Sequence, residues 1–452
     1  MTKAGALFGL ALFVLSLPLP RGGAQQGTLA PVPPMGWNSW DSYGLTITEA
    51  QFRANFAVEA ARLKPAGFTY AVIDEGWYLA NPEAGKPETL QYRTDEYGRY
   101  QPALNRFPSA VDASGFAAVA DSVHAQGLKF GIHIIRGVPK SAVKSNLPVA
   151  NSSFHAADLA DTSDTCPWNT DNYGVKNNPA GQAWYDALFA QYAAWGVDYV
   201  KVDCISSHPY KPDEIHMIHN AIANSGRPIV LSLSPGPAAL DDAKALGENA
   251  QLWRISDDVW DLWERARDTD FPQGVKNQFA VIDRWTIHVK PGNWPDADML
   301  PLGTLGPVPG LGSPRQTRLT HEEQRTLVTL WSIARSPLFF GGNLTQLDDW
   351  TASLLTNPEV VAMDQNGYDQ HLAATQGDVV AWTSKAPGGA AYLALFNLGD
   401  APAGVKSPFA SYGLPAGRYK SRDLWTKAEQ PATAEVSAAI PPHATLLLKL
   451  SK

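Results

Sequence analysis

Cysteine is nearly absent from this 452-residue chain, which has only Cys166 and Cys204. Two cysteines exclude a disulfide-built mini-fold and lack the paired spacing of a zinc site. Histidine is sparse as well, ten in all, and none stands as His-x-His at a strand end, so a metal-dependent barrel hydrolase is disfavoured and no metal or organic cofactor is expected. No run of Lys or Arg occurs, and the net charge is -8. A nucleic-acid backbone or an anionic membrane surface is therefore not the expected partner, and a neutral small ligand fits better. Repeats, heptads and low-complexity tracts are missing too.

What the chain does have is length and aromatic residues. At 452 residues it exceeds one ordinary domain, so a large barrel with a smaller module is expected. Its 15 tryptophans suit the apolar faces of sugars, although most would serve equally as core. The first residues pair Lys3 with an apolar run from Ala4 to Leu17, then Pro18, Pro20 and the small residues Gly22 and Ala24. That is the pattern of a cleaved signal peptide, 1–24, and the run falls short of the roughly 20 residues a membrane span needs. A secreted or periplasmic protein is expected.

From about Pro34 to Asn343, short β-type runs ending in polar residues alternate with helical patterns, as parallel βα units do. Eight runs fit: Gly36–Trp40, Tyr70–Asp74, Lys129–Ile135, Val197–Cys204, Ile229–Ser234, Leu252–Asp258, a poorly marked one at His288–Trp294, and Pro337–Gly341. The fold class is thus α/β, a (β/α)8 TIM barrel over 25–363. Thr48 with Gln51 and Thr320 with Glu323 are capping-box pairs before helical stripes. Beyond about Asp364 the texture turns to β-runs between Pro/Gly turns, an antiparallel β-sandwich over 364–452. The polar, Pro- and Asn-rich stretch from Gly137 to Asn178 reads as a loop over the barrel mouth.

Barrel enzymes work at the carboxyl ends of their strands, where this sequence places Asp74, Glu75, His133, Arg136, Lys201, Asp203, Arg254, Ser256, Asp257 and Asp258. Strand alternation puts Lys201 and Asp203 on one face, and Arg254, Ser256 and Asp258 on another, with Asp257 turned away. Any one such Asp would more often cap the next helix. Several converging suit glycoside hydrolysis, in which one carboxylate attacks the anomeric carbon and a second, about 5 to 5.5 Å away in retaining enzymes, shuttles a proton.

Met35-Gly-Trp-Asn-Ser-Trp40, Ile73-Asp-Glu-Gly-Trp77, Tyr199-Val-Lys-Val-Asp203, Arg254 with Asp258, Trp294-Pro-Asp-Ala-Asp-Met-Leu300, Glu323-Gln-Arg325 and Ser336-Pro-Leu338 occur in this order. Together they resemble glycoside hydrolase family 27, the melibiase-type α-galactosidases. The resemblance implies a retaining exo-glycosidase releasing terminal α-D-galactosyl residues. It implies Asp203 as nucleophile and Asp258 as acid/base. Trp40 would flank the sugar, and Asp74 and Glu75 would hold its 4- and 6-hydroxyls. Lys201 and Arg254 would donate to hydroxyls, with Asp298 beside the reacting ring. A sugar-binding protein without catalysis would need one of the two aspartates replaced, and both are present. Cys204 follows the implied nucleophile, so a Cys166–Cys204 bond would brace that strand end in an oxidising compartment, with two inert thiols as the alternative.

Three departures from the family pattern bear on substrate. Glu75 stands where Asp is usual, and its extra methylene pushes the carboxylate toward the sugar's C6 group, which favours a β-L-arabinopyranoside. Ser234 stands where a Glu usually meets the 2-hydroxyl, leaving room for a 2-acetamido group and hence α-N-acetylgalactosaminidase activity. His133 replaces a usual Tyr, although a lone strand-end His is more often structural.

Overall fold

The computed structural model describes Met1 and residues 28–84, 87–112, 114–267, 270–306 and 313–452. The expected signal peptide, 1–24, lies outside the described residues apart from Met1. Eight parallel strands form one sheet: β1 Met35–Asn38, β2 Tyr70–Ile73, β3 Lys129–Ile135, β4 Tyr199–Asp203, β5 Val230–Leu233, β6 Leu252–Arg254, β7 Trp294–Asp296 and β8 Leu338–Phe340. They pair in the order 7-6-5-4-3-2-1-8. The seam between β7 and β8 is closed just past β7, where Leu300 N–H donates to the Phe339 carbonyl at 2.7 Å and Gly341 N–H donates to the Leu300 carbonyl at 3.1 Å. The sheet is thus a closed (β/α)8 barrel.

Side-chain alternation builds this barrel in layers. Tyr70, Val72, Tyr199, Val230, Leu252, Trp294 and Phe339 form one buried cluster in its interior. Their neighbours Ala71, Ile73, Val200, Val202, Leu231 and Leu233 belong instead to the main core shared with the helices. Gly131 makes the inner layer fit, because a Cβ there would lie 2.8 Å from Val72 Cγ2 and 3.0 Å from the Tyr199 ring. Moving up the strands in steps of two from the apolar layer reaches Asp74, Lys201, Asp203, Ser234 and Arg254, with His133 two residues beyond Gly131. Alternation therefore turns a greasy interior into a polar mouth.

The helices start where their caps say. Thr48 and Thr320 each close a capping box, on helices Glu49–Val58 and His321–Ala334, and Asn178 caps Pro179–Ala194. Two expected strands need correction. The seventh lies at Trp294–Asp296 rather than His288–Trp294. Thr286–His288 is a 3-10 turn, Ile287 is 84% exposed, and Lys290 to Asn293 reverse through Gly292 at φ +81. The sixth strand stops at Arg254, four residues before its expected end.

The stretch 137–178 also departs from expectation. It is a folded excursion with short helices Lys140–Lys144 and Ala156–Leu159 and a small antiparallel sheet of Val138–Pro139, Asn172–Val175 and Ala160–Thr165. Its strands are polar and short, which hides them from a search for apolar alternation.

Past helix Pro358–Asn366, which crosses the expected domain boundary, the chain forms an antiparallel sandwich. Its six-stranded sheet runs from Tyr368–Gln376 through Val379–Lys385, Ala391–Asn397, Thr445–Ser451 and Tyr419–Asp423 to Glu429–Thr433, beside the pair Ala403–Pro408 and Glu435–Ile440. One face packs Trp382, Phe396 and Leu447 into the main core. Helix His321–Ala334 is stitched to it by Thr326 Oγ1 donating to the His443 carbonyl at 2.6 Å and Trp425 Nε1 donating to Thr329 Oγ1 at 3.0 Å.

Candidate active site

A cavity of about 540 Å³ opens at the carboxyl ends of the strands. Trp40, Asp74, Glu75, His133, Lys201, Asp203, Ser234, Arg254 and Asp258 all line it. Arg136 and Ser256 are off that surface, and of the residues that the family resemblance implies for the site, Asp298 alone is off it too. It lies beneath Arg254, 3% exposed, pairing with Arg254 Nη1 at 2.8 Å and accepting the Val259 N–H at 2.7 Å. Burial, with Asp258 and Asp296 nearby and only partly offset by Arg254, pushes its carboxyl up to about 7.

Asp74 is tied through both of its carboxylate oxygens. Its Oδ2 accepts from Asn38 Nδ2 at 2.7 Å and Lys201 Nζ at 3.1 Å, and its Oδ1 accepts the Glu75 N–H at 2.8 Å. Burial works to raise its pKa, but Lys201, His133 and these donors outweigh burial and bring it down to about 2. Asn38 also accepts the Trp40 N–H at 2.8 Å, so one side chain fixes both the aromatic wall and the first acid.

Asp203 ends β4 with its side chain 16% exposed. Its Oδ1 accepts the Cys204 N–H at 2.7 Å and Ser234 Oγ at 3.2 Å, while Oδ2 faces Trp168 Nε1 at 3.4 Å and His133 Nε2 at 3.7 Å. Burial opposes ionisation here too, but His133, Lys201 and the Cys204 amide win, and the pKa is lowered. The same carboxylates outweigh burial at His133 and raise its pKa, favouring the imidazolium. An ionised, donor-rich carboxylate is what attack on carbon requires.

Asp258 sits differently, beyond the end of β6 with its side chain 33% exposed and Arg254 Nη2 at 3.3 Å. Because the strand has ended, alternation no longer turns Asp257 away, and Asp257 lines the cavity beside it. Ser234, expected to leave room beside the 2-hydroxyl, donates to Asp203.

Trp168 and Asn169, which reach the cavity from the excursion, were not among the sequence candidates, nor were Leu45, His208, Phe271 and Met299. Asn169 Nδ2 donates to Glu75 Oε1 at 2.6 Å. One signal pointed there: Cys166 is bonded to Cys204, with Cα atoms 6.0 Å apart, so residues beside Cys166 must lie near Asp203.

Known proteins resemble this chain over most of its length. A family model for α-galactosidase A matches residues 169–366, and one for the α-galactosidase C-terminal β-sandwich domain matches 376–450. A β-L-arabinopyranosidase of family 27 from Geobacillus stearothermophilus is 45% identical, covering 94% of this chain and 97% of that one, with a TM-score of 0.88. A candidate α-N-acetylgalactosaminidase from Bacillus halodurans is 41% identical over 93% of this chain and 97% of its own, with a TM-score of 0.82. Alpha-galactosidase 2 of Arabidopsis thaliana is 27% identical over 94% of this chain and 90% of the relative.

Proposed function

The chain belongs to glycoside hydrolase family 27, the melibiase-type α-galactosidases, and from that premise we propose that it releases terminal α-D-galactosyl residues from oligo- or polysaccharides with retention of configuration. The observation that carries this reading is Asp203 and Asp258 opening on one sugar-sized cavity from the ends of β4 and β6. Asp203 attacks C1 as Asp258 gives its proton to the departing glycosidic oxygen, so the C1–O bond breaks as a C1–carboxylate ester forms. Asp258, now ionised, takes a proton from water. That water attacks C1, the ester breaks, and two inversions restore the starting configuration.

Asp74, ionised and braced by Lys201, accepts from the axial 4-hydroxyl, and Trp40 flanks the ring. Lys201 and Arg254 donate to sugar hydroxyls. A site whose buried polar groups are left unpaired by the wrong epimer discriminates strongly, so glucosides should be poor substrates.

A second reading is supported by Glu75. Its longer side chain brings a carboxyl to where C6 of a hexose would lie, and β-L-arabinopyranose is the galactose pattern without that carbon. The Geobacillus relative is a β-L-arabinopyranosidase. Kinetics on p-nitrophenyl α-D-galactopyranoside, β-L-arabinopyranoside and α-N-acetylgalactosaminide rank the three sugars. NMR of the first-formed product must show the starting anomer, and the opposite anomer would end the retaining assignment. Glu75→Asp should raise the galactoside to arabinopyranoside ratio by about tenfold, the worth of one methylene in a fitted pocket. Export to an oxidising compartment is part of the same proposal, supported by the Cys166–Cys204 bond.

A further inference from the structure

The excursion is fastened to the barrel at several points, on both sides of Asn169 in the chain. Arg136, buried at the end of β3, forks onto Asp164 at 3.0 and 2.9 Å. Its remaining reach grips Glu214 at 2.6 Å and the Cys204 carbonyl at 2.6 Å. Lys211 meets the same Asp164 at 2.7 Å, and Cys166 is bonded to Cys204. On the other side, Tyr92 Oη donates to Asp171 Oδ1 at 2.5 Å.

Between these anchors, Asn169 Oδ1 accepts the Asp171 N–H at 3.0 Å. That bond fixes the amide's orientation, because its oxygen is committed to Asp171 and its nitrogen must face Glu75. The Nδ2 donates to Glu75 Oε1 at 2.6 Å. Glu has three side-chain torsions, and a lone Glu at a cavity edge would sample several rotamers. Here the donor is part of a braced fold.

We propose that Asn169 is a specificity-determining residue: it holds the Glu75 carboxyl at the cavity edge, where it crowds the hydroxymethyl group on C5, lowering the rate on galactosides relative to pentopyranosides of the same configuration. The proposal rests on the reading that the cavity takes a galactose-configured pyranosyl ring. Asn169 does not act on the reacting atoms; it acts through Glu75. Freed of Asn169, Glu75 can swing aside and admit the C6 arm.

The test is kcat and KM for the aryl α-D-galactopyranoside and β-L-arabinopyranoside with the full chain, wild type against Asn169→Ala. The arabinopyranoside to galactoside ratio of kcat/KM should fall at least fivefold, chiefly through a lower KM for the galactoside. Asn169→Asp, which keeps the shape and removes the donor, should lower the ratio similarly and serves where the alanine variant fails to fold. Adding Asn169→Ala to Glu75→Asp should change the ratio less than twofold, because both act on one carboxyl. A ratio that stays within twofold in the single variants overturns the proposal. So does an equal loss on both sugars, or full multiplicativity with Glu75→Asp. Wild-type enzyme that hydrolyses neither glycoside removes the substrate reading, and the proposal with it.

Discussion

Asp203 and Asp258 belong to β4 and to the loop after β6, separated by one strand in the barrel, yet the protein holds them in opposite ways. Asp203 is the last residue of a regular strand, 16% exposed, and takes an amide, a hydroxyl, an indole and an imidazole around its two oxygens. Asp258 stands past its strand, 33% exposed, with one guanidinium at 3.3 Å and with Asp257 beside it. The first arrangement fixes charge and aim on a carboxylate proposed to attack one atom. The second leaves a carboxyl near solvent and beside a second acid. The contrast teaches that strand register sets the proposed nucleophile, whereas loop geometry sets the proposed proton donor.

The comparison breaks first at Asp203. Asp203→Ala should lower kcat by about four orders of magnitude or more while thermal unfolding stays cooperative, since covalent catalysis has no substitute there. Near-normal turnover in that variant would remove the assignment. Asp258→Ala should cost less and unevenly: about 10²- to 10⁴-fold on substrates with poor leaving groups, and far less on activated aryl glycosides that depart without a proton. Equal losses across leaving groups would count against a proton donor.

Much of this was legible in the residues, for reasons that differ along the chain. Lys129–Ile135 was readable to the residue, because a mostly apolar run bounded by the turn residues Gly127 and Gly137 is what a buried parallel strand looks like, even with Lys129 and His133 in it. The inward set Asp74, His133, Lys201, Asp203, Ser234 and Arg254 follows from strand period alone. Asp257 did not, because the period was carried past the point where the strand stops at Arg254. The seventh strand was hidden by Pro295 at its centre, a residue that normally argues against a strand interior. Trp168 and Asn169 were invisible to periodicity, since a disulfide and a salt-bridge fork, not a strand, bring them to the mouth.

The smallest expected effect sharpens the same contrast on two adjacent residues, Asp74 and Glu75. Asp74 has Lys201 and Asn38 on its carboxylate and is lowered to about 2, whereas burial, with Asp203 and Asp74 close by, raises Glu75 to about 7 despite His133 and Asn169. Linkage gives the two groups opposite signs. A lowered acid binds fewer protons folded than unfolded, so Asp74 contributes stability above its unfolded value near 3.8 that is lost as pH falls toward 2. A raised acid binds more, so the contribution of Glu75 is complete below its unfolded value near 4.5 and is lost as pH rises through 7. Asp298, raised to about 7, acts in the same direction as Glu75. Folding stability should therefore decline between about pH 4.5 and 7, by an amount on the order of 1 to 3 kcal/mol per raised group, read as a falling melting temperature. Glu75→Gln cannot ionise and should flatten that decline by its own share, leaving the Asp298 part and the acid loss below pH 4 in place. A wild-type slope retained in Glu75→Gln would mean that Glu75 is ionised throughout this range and that burial at the cavity edge does not govern it.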